Sequence, residues 1–283
     1  MPGPGKTLAH GFQYQPGGMS LHAAIASARL GAAARMLGRV GDDAVADHLR
    51  RCLVDEGVQP QGLEAVAGTT TSVASVIVDA KGERQIVPHR GRALERAHAL
   101  DPRQLDGADV VLVDPRWMRG AVAALRWARA NDRPSLVDAD VAPLPDLQRL
   151  VGLARWVAFS QPGFAVWAGG ADPDTALADV LAAHPHCRLA LVTLGADGAR
   201  WVERGVDGVQ HCAAPPVQAV DTTGAGDVFH AALALALAEQ RPTAEAVAWA
   251  CAAAAMKCER GFGTAGAPTR RELTAWMTQR RAS

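Results

Sequence analysis

The stretch VDTTGAGDVFHAALALALAEQ, residues 220–240, guides the interpretation of the whole chain. Gly224, Ala225 and Gly226 carry almost no side chain, and Asp227 then opens an apolar segment of helical character. The first N–H groups of a helix have no internal partner, and the helix dipole is positive there. Small residues at such a terminus predict a hole for a phosphate or another anion. Asp227 is then either a helix cap or a base beside that hole.

The composition of the chain excludes several classes of protein. It has 283 residues, of which 49% are hydrophobic and 20% are charged, as is ordinary for a globular protein. Because 29 Lys and Arg balance 29 Asp and Glu, no net charge favours nucleic acid or an acidic membrane surface. The five cysteines are scattered and form no CxxC, which favours reduced thiols in a cytoplasmic protein.

Helical and extended patterns alternate along the chain. Helices are predicted over residues 19–36 and 43–56, the second starting at an Asp42-Asp43 cap. Four short apolar runs then predict strands over 109–114, 134–140, 155–160 and 189–195. Such alternation is typical of βαβ units, and therefore of a largely parallel sheet covered by helices on both faces. Ligands bind such sheets beyond the carboxyl ends of the strands.

One early segment interrupts this alternation. Residues 71–89 read as a β-hairpin around a Lys81-Gly82 turn. With no linker or repeat in the sequence, we expect one domain over residues 1–283 with a small lid, made of segments at about 4–17 and 68–92. Lid strands of this kind can pair with a second copy through their edges, which suggests a homodimer.

The motif at 221–227 resembles the C-terminal signature of the PfkB family, the ribokinase-like sugar kinases. Similar blocks occur at 16–32, 38–58 and 192–199, so that the resemblance runs from about residue 5 to residue 268. Within the family, the stretches at 109–121, 159–164 and 254–268 are most similar to kinases of 6-deoxy-6-sulfofructose, and more distantly to ketohexokinases. The resemblance implies a three-layer αβα sandwich with a mostly parallel central sheet and a β-strand lid.

The resemblance also implies the activity and the residues that perform it. ATP with Mg²⁺ would phosphorylate a sugar hydroxyl, Asp227 would be the general base, and Gly224, Ala225 and Gly226 would hold the developing charge. The positions that match the family's ATP-binding segments are Thr193, Gly195, Gly198, Gly224, Gly226, Ala252, Met256 and Gly261. Asp221 and Thr223 match positions that supply oxygen atoms to a monovalent cation, usually K⁺.

The substrate side is implied by a second group of residues. Gly17 and Gly18 match a turn beside the sugar, and Asp227 faces the same place. Lys6 and Arg116 are cations suited to a sulfonate or phosphate on the far end of the sugar. Each also has a plainer explanation, as a terminal residue or as a surface charge at a helix end. His22, near the glycine turn, either touches the sugar or is packed in its helix. His230, one turn after the anion hole, is expected either to pack in the core or to support a residue that touches the ligand.

The chain departs from the family pattern at three places. Family members usually begin with a strand that carries an aspartate for the sugar, whereas here the sequence starts at the lid, so we expect the first strand to be missing. The family's N-x-x-E motif is replaced by Ser160-Gln161-Pro162-Gly163, which leaves Asp138 or Asp140 as carboxylates for the metal. Pro88 and His89 occupy the lid where a small amide is expected.

Three functions remain open from the sequence. The first is an ATP-dependent kinase for a small sugar, either a ketose or an anionic sugar of the sulfofructose type. The second is a kinase for a nucleoside or another small alcohol, which the cations Lys6 and Arg116 disfavour because nucleosides carry no anion. The third is a relative that binds nucleotide or sugar without turnover.

Overall fold

The computed structural model describes residues 6–78, 84–91, 93–94, 100–261 and 263–282. The helices are α1 (Met19–Arg29), α2 (Ala44–Asp55), α3 (Met118–Ala130), α4 (Leu144–Val151), α5 (Gln161–Ala168), α6 (Pro173–Ala183), α7 (Ala225–Ala238), α8 (Thr243–Arg260) and α9 (Arg270–Ala282). The strands are β1 (Arg35–Gly41), β2 (Gln59–Val66), β3 (Val73–Val78), β4 (Arg84–His89), β5 (Val111–Val113), β6 (Ser135–Ala139), β7 (Trp156–Phe159), β8 (Leu189–Thr193), β9 (Ala199–Glu203) and β10 (Gln210–Cys212).

The main sheet contains six strands in the order β10-β9-β8-β7-β6-β5. Strands β5 to β8 are parallel, whereas β9 and β10 extend the sheet in antiparallel fashion. The four predicted strands are confirmed as β5 to β8. Every residue of β6 and β7 is buried, which explains why these strands read as continuous apolar runs rather than as alternating ones.

Helices cover both faces of this sheet. One buried cluster joins α1, α7, α8 and α9 to one face, with Leu136 and Leu191 contributed by the sheet. A second cluster joins α3 to α6 to the other face through Val137 and Val157. Neighbouring residues of one strand point to opposite faces, so Leu136 and Val137 anchor different helical layers. The three-layer ribokinase-like architecture is therefore confirmed.

The N-terminal region differs from its prediction at one point. The helix predicted to extend to residue 36 ends at Arg29, because Gly31 has φ 95°, a left-handed backbone that stops a helix. Residues Arg35–Gly41 then form β1, which pairs in parallel with β2 in a separate two-stranded sheet. The second predicted helix is confirmed as α2, and its N-cap Asp43 accepts a hydrogen bond from Ala46 N.

The predicted hairpin is present as β3 and β4, which pair in antiparallel fashion. Its turn at Lys81-Gly82 lies outside the described residues. No strand among the described residues pairs with the free edge of β5, and none joins β5 to β1. Residues of both strands instead line one large cavity of about 3240 Å³. None of the described helices has the length and apolar character needed to cross a membrane.

Candidate active site

The quoted stretch folds into the start of α7. Gly224 is the N-cap, and its φ of 76° requires a left-handed backbone that glycine adopts without cost. Ala225 N–H donates to the Thr222 carbonyl oxygen at 3.1 Å, so this amide is not free for a ligand, contrary to its expected role. Within the described part of the chain, the N–H groups of Gly224 and Gly226 have no protein acceptor. They remain the donors that an anion can use.

The carboxylate of Asp227 does not cap the helix. Its Oδ2 lies 2.9 Å from Nδ1 of His22, and the two side chains are only 13% and 11% exposed. The other ring nitrogen of His22, Nε2, lies 3.4 Å from the Pro16 carbonyl oxygen. The contact brings together residues 205 positions apart in the chain. Sequence reasoning placed His22 near the glycine turn but missed its partner.

The glycine turn lies at the start of α1. Gly17 and Gly18 both line the cavity, and the Gly18 carbonyl oxygen accepts a hydrogen bond from His22 N at 2.9 Å. Because Gly18 is the N-cap of α1, the predicted substrate turn and the predicted base are joined through one turn of this helix.

The two predicted cations lie in different environments. Lys6 is exposed and does not line the cavity. Arg116 does line it, and its guanidinium donates to Asp140 at 2.6 Å and to the Val141 carbonyl oxygen at 2.9 Å. An anionic ligand group would therefore compete with Asp140 for Arg116.

A buried ion pair lies behind Asp227. His230, one helical turn further along α7, places Nδ1 at 2.9 Å from Oδ2 of Asp138, and both side chains are almost fully buried. Burial raises the pKa of Asp138, although His230 opposes this, and the charge of Asp227 raises it further. Burial would lower the pKa of His230, but the charge and hydrogen bond of Asp138, together with the charges of Asp227 and Asp140, outweigh it and raise that pKa. The predicted packing role of His230 is thus an electrostatic contact with the end of β6.

The aspartate that follows β5 also contributes. Asp114 Oδ2 accepts hydrogen bonds from the amide of Ser20, at 3.2 Å, and from its hydroxyl group. Asp114 Oδ1 accepts from Arg116 N at 2.7 Å. This carboxylate ties the end of β5 to the start of α1. The signal for it in the sequence was a strand run that ends in aspartate.

The predicted nucleotide-binding residues around the end of β8 lie in different surroundings. Thr193 ends β8, and Gly195 is the first residue of the 3₁₀ turn that follows. Gly198 has φ 89°, and a Cβ there would lie 2.0 Å from the Cys212 carbonyl oxygen, so its role is close packing of the β8–β9 turn. Thr193 and Gly195 remain candidates for a phosphate.

The predicted ATP-binding positions on α8 need correction. Ala252 and Met256 are each 1% exposed and belong to the core between α8 and α7. Their side chains cannot touch a ligand, because the helix face that carries them is packed against its neighbour. Gly261, the C-cap of α8, is also buried and has φ 89°.

The predicted monovalent-cation site is filled by a side chain. Lys257 Nζ donates to the Asp221 carbonyl oxygen at 2.8 Å and to its carboxylate at 3.2 Å. Thr223 contributes its backbone N–H to the same carboxylate at 2.9 Å. The expectation of K⁺ at Asp221 and Thr223 is therefore wrong for the two Asp221 oxygens, which already face an ammonium group.

The carboxylates expected for a divalent metal are also in use. Asp138 pairs with His230, and Asp140 accepts from Arg116 and from the Ser160 hydroxyl group at 2.8 Å. Among the described residues, no group of three or more His, Cys, Asp and Glu side chains could hold a metal ion. This part of the chain therefore presents no preformed cluster of such ligands for Mg²⁺.

Comparison with known proteins agrees with this geometry. The family model described as pfkB family carbohydrate kinase matches residues 2–270. A ribokinase of Bacillus subtilis is 31% identical over 94% of this chain and 89% of its own length. A probable fructokinase-4 of Arabidopsis thaliana is 30% identical over 84% of this chain and 77% of its own length.

Solved structures give the same result. The crystal structure of a "putative ribokinase" from Agrobacterium tumefaciens superposes with a TM-score of 0.94 at 35% identity. The match covers 100% of this chain and 93% of the other. The fold of this chain is thus shared with that protein.

Proposed function

The chain belongs to the pfkB family of carbohydrate kinases, and we propose that it transfers the γ-phosphoryl group of ATP to a hydroxyl group of a small sugar, with Asp227 as the general base. The observation that carries this proposal is the pairing of two amides that have no acceptor among the described residues, those of Gly224 and Gly226, with a carboxylate one residue further on. Phosphoryl transfer needs positioning and charge stabilisation, and this helix start supplies both.

Different residues of the site would bind the phosphate oxygens and accept the proton. Asp227 accepts the proton of the attacking sugar hydroxyl, while His22 holds the other side of its carboxylate. The amides of Gly224 and Gly226, with the positive end of the α7 dipole, would hold phosphate oxygens. ATP supplies the transferred group when it is bound. Because the described residues offer no carboxylate cluster, we expect Mg²⁺ to be held by nucleotide phosphates and water.

The sugar is placed between the Gly17-Gly18 turn and Asp227. The relatives named ribokinase and fructokinase support a pentose or a ketohexose as the acceptor. An anionic ketose of the sulfofructose type would use Arg116, at the expense of its contact with Asp140. The substrate test therefore compares neutral with anionic ketoses. Arg116→Met should reduce the turnover of anionic ketoses far more than that of neutral ones.

The experiment is a sugar-dependent ADP release assay with ATP and Mg²⁺. The panel contains ribose, fructose, tagatose, sulfofructose and the phosphates of these sugars. Asp227→Asn should retain ATP affinity, measured by calorimetry, and lose turnover by roughly 10²- to 10⁴-fold, as expected for removal of a general base. Normal turnover by this variant would refute the assignment of the base.

One observation favours a second candidate. Ligand pockets usually measure about 300–1,000 Å³, whereas this cavity of about 3240 Å³ also extends between the open edges of β1 and β5. A site this open favours a protein that binds nucleotide without efficient sugar turnover. Tight ATP binding without ADP release on any sugar or nucleoside would support this candidate over the kinase.

The assembly and the cell compartment complete the proposal. The β3–β4 hairpin exposes Val76, Ile86 and Val87, which favours a homodimer formed through the lid. Light scattering of wild type and of an Ile86→Lys variant would test this. The free cysteines favour a reducing, cytoplasmic location.

A further inference from the structure

A lysine side chain is fully enclosed beside the active-site turn. Lys257, near the end of α8, is 0% exposed. Its Nζ donates to the carbonyl oxygen of Asp221 at 2.8 Å and to Oδ2 of the same residue at 3.2 Å. A buried ammonium group is retained only where hydrogen bonds and an opposite charge compensate for lost water. Asp221 provides both.

The carboxylate of Asp221 accepts hydrogen bonds from several groups. Oδ1 accepts from Thr223 N at 2.9 Å, and Oδ2 accepts from Gly263 N at 3.4 Å as well as from Lys257. Burial would raise the pKa of Asp221, but the hydrogen bonds of Thr223 and the charge of Lys257 outweigh it and lower that pKa to about 2. The side chain is therefore an anion at neutral pH, and the ammonium of Lys257 balances it.

This ion pair anchors the stretch that leads to Asp227. The N–H groups of Val220 and Asp221 donate to the Cys258 carbonyl oxygen at 2.8 and 3.2 Å, which fixes the same stretch to the end of α8. Asp227 follows Asp221 by six positions, and the 222–225 turn lies between them. Displacement of Asp221 would move the amides of Gly224 and Gly226.

The same oxygens do not fit a free cation. A K⁺ site needs carbonyl and carboxylate oxygens that replace its water shell. Here a carbonyl oxygen and a carboxylate oxygen converge on Nζ of Lys257, and a second cation at hydrogen-bond distance from them would face a like charge.

We propose that the Lys257 ammonium group is a built-in replacement for a soluble monovalent cation, which positions the 221–227 turn and makes the kinase independent of K⁺. This inference rests on the proposed function for its kinetic consequence, but not for its structural one. Lys257 acts through Asp221 and is a positioning residue.

The test compares full-length wild type, Lys257→Ala and Lys257→Met in tetramethylammonium buffer, with added KCl, NaCl or none. Lys257→Ala opens space beside the Asp221 oxygens, whereas Lys257→Met keeps that space filled without charge. Arg155→Ala is the control, because Arg155 lies just before the amino end of β7 and pairs with the exposed Asp132.

The first readout is the thermal unfolding midpoint, which needs no substrate. KCl should raise the midpoint of Lys257→Ala well above that in NaCl, and should leave wild type, Lys257→Met and the control at equal values in both salts. If the midpoint of wild type rises with KCl as much as that of Lys257→Ala, or Lys257→Ala does not respond to KCl, the proposal is overturned.

The second readout is sugar-dependent ADP release. Wild type should change less than about 2-fold with KCl, while Lys257→Ala should lose at least about 10-fold without salt, the cost of one charged hydrogen bond, and regain it with KCl. Lys257→Met should remain slow in every salt, and full activity of Lys257→Met would overturn the proposal. Absence of turnover by wild type in KCl would instead count against the proposed function, and the unfolding midpoints would still decide the role of Lys257.

Discussion

Replacement of His22 is the most direct test of how the proposed base is held. The Nδ1–Oδ2 distance to Asp227 is 2.9 Å, and both side chains are almost 90% shielded from solvent. A hydrogen bond to a charged group contributes about 1.5–3 kcal/mol, which corresponds to roughly 10- to 150-fold in rate if the bond is needed only in the transition state. We expect His22→Leu to lower kcat by that factor.

The hydrogen bonds of His22 can be tested in the same series. Nδ1 faces the Asp227 carboxylate and Nε2 faces the Pro16 carbonyl oxygen, so each ring nitrogen lies beside an acceptor. His22→Asn keeps one donor on a shorter side chain, and its kcat should therefore fall between those of wild type and His22→Leu.

The assay is sugar-dependent ADP release at saturating ATP, with kcat and KM determined separately and thermal unfolding as the check on folding. His48→Leu is the matched control, since His48 lies on α2 and packs on Tyr14 at 4.9 Å. Asp227→Asn sets the floor of the assay. Wild-type kcat for His22→Leu, with Asp227→Asn inactive, would refute the reasoning about His22 and leave the base intact.

Three further predictions concern stability. Gly198→Ala should lower the free energy of unfolding in urea more than Gly205→Ala. Both glycines have φ 89°, so that either alanine costs about 1–2 kcal/mol for the left-handed backbone, but only the Cβ at position 198 meets the Cys212 carbonyl oxygen. Equal losses of stability in the two variants would contradict this close approach. Burial would raise the pKa of Asp221, but hydrogen bonds and the neighbouring ammonium group outweigh it and lower that pKa to about 2. The ion pair of Asp221 should therefore stabilise the fold by about 2 kcal/mol above pH 4, and this stabilisation should be lost as the pH falls toward 2. Acid titrations of wild type and Asp221→Asn should differ in this window. Leu125→Ala, at a position with 0% exposure, should cost about 2–5 kcal/mol in urea unfolding and leave KM unchanged.

The sequence predicted the elements that depend on neighbouring residues. The strands β5 to β8 and the helix α2 follow from local hydrophobic periodicity and from the cap at Asp43, and these signals survive in the folded chain. The start of α7 was predicted from small residues at 224–226, because a left-handed glycine and a free amide are local properties of the backbone. The helix predicted to reach residue 36 ends at Arg29, because Gly31 has a left-handed backbone and pairing with β2 then makes Arg35–Gly41 a strand.

The partners of the site residues were decided only by the tertiary structure. His22 meets Asp227 across 205 positions, and Ser20 meets Asp114 across 94. Lys257 meets Asp221 because α8 ends beside the turn that precedes α7, which no local pattern specifies. Periodicity shows that a residue lies on a helix, but strand order and helix rotation about its axis determine which distant side chain it faces. The motif thus marked where the chemistry occurs, whereas the packing of α1, α7 and α8 determined which charges hold it in place.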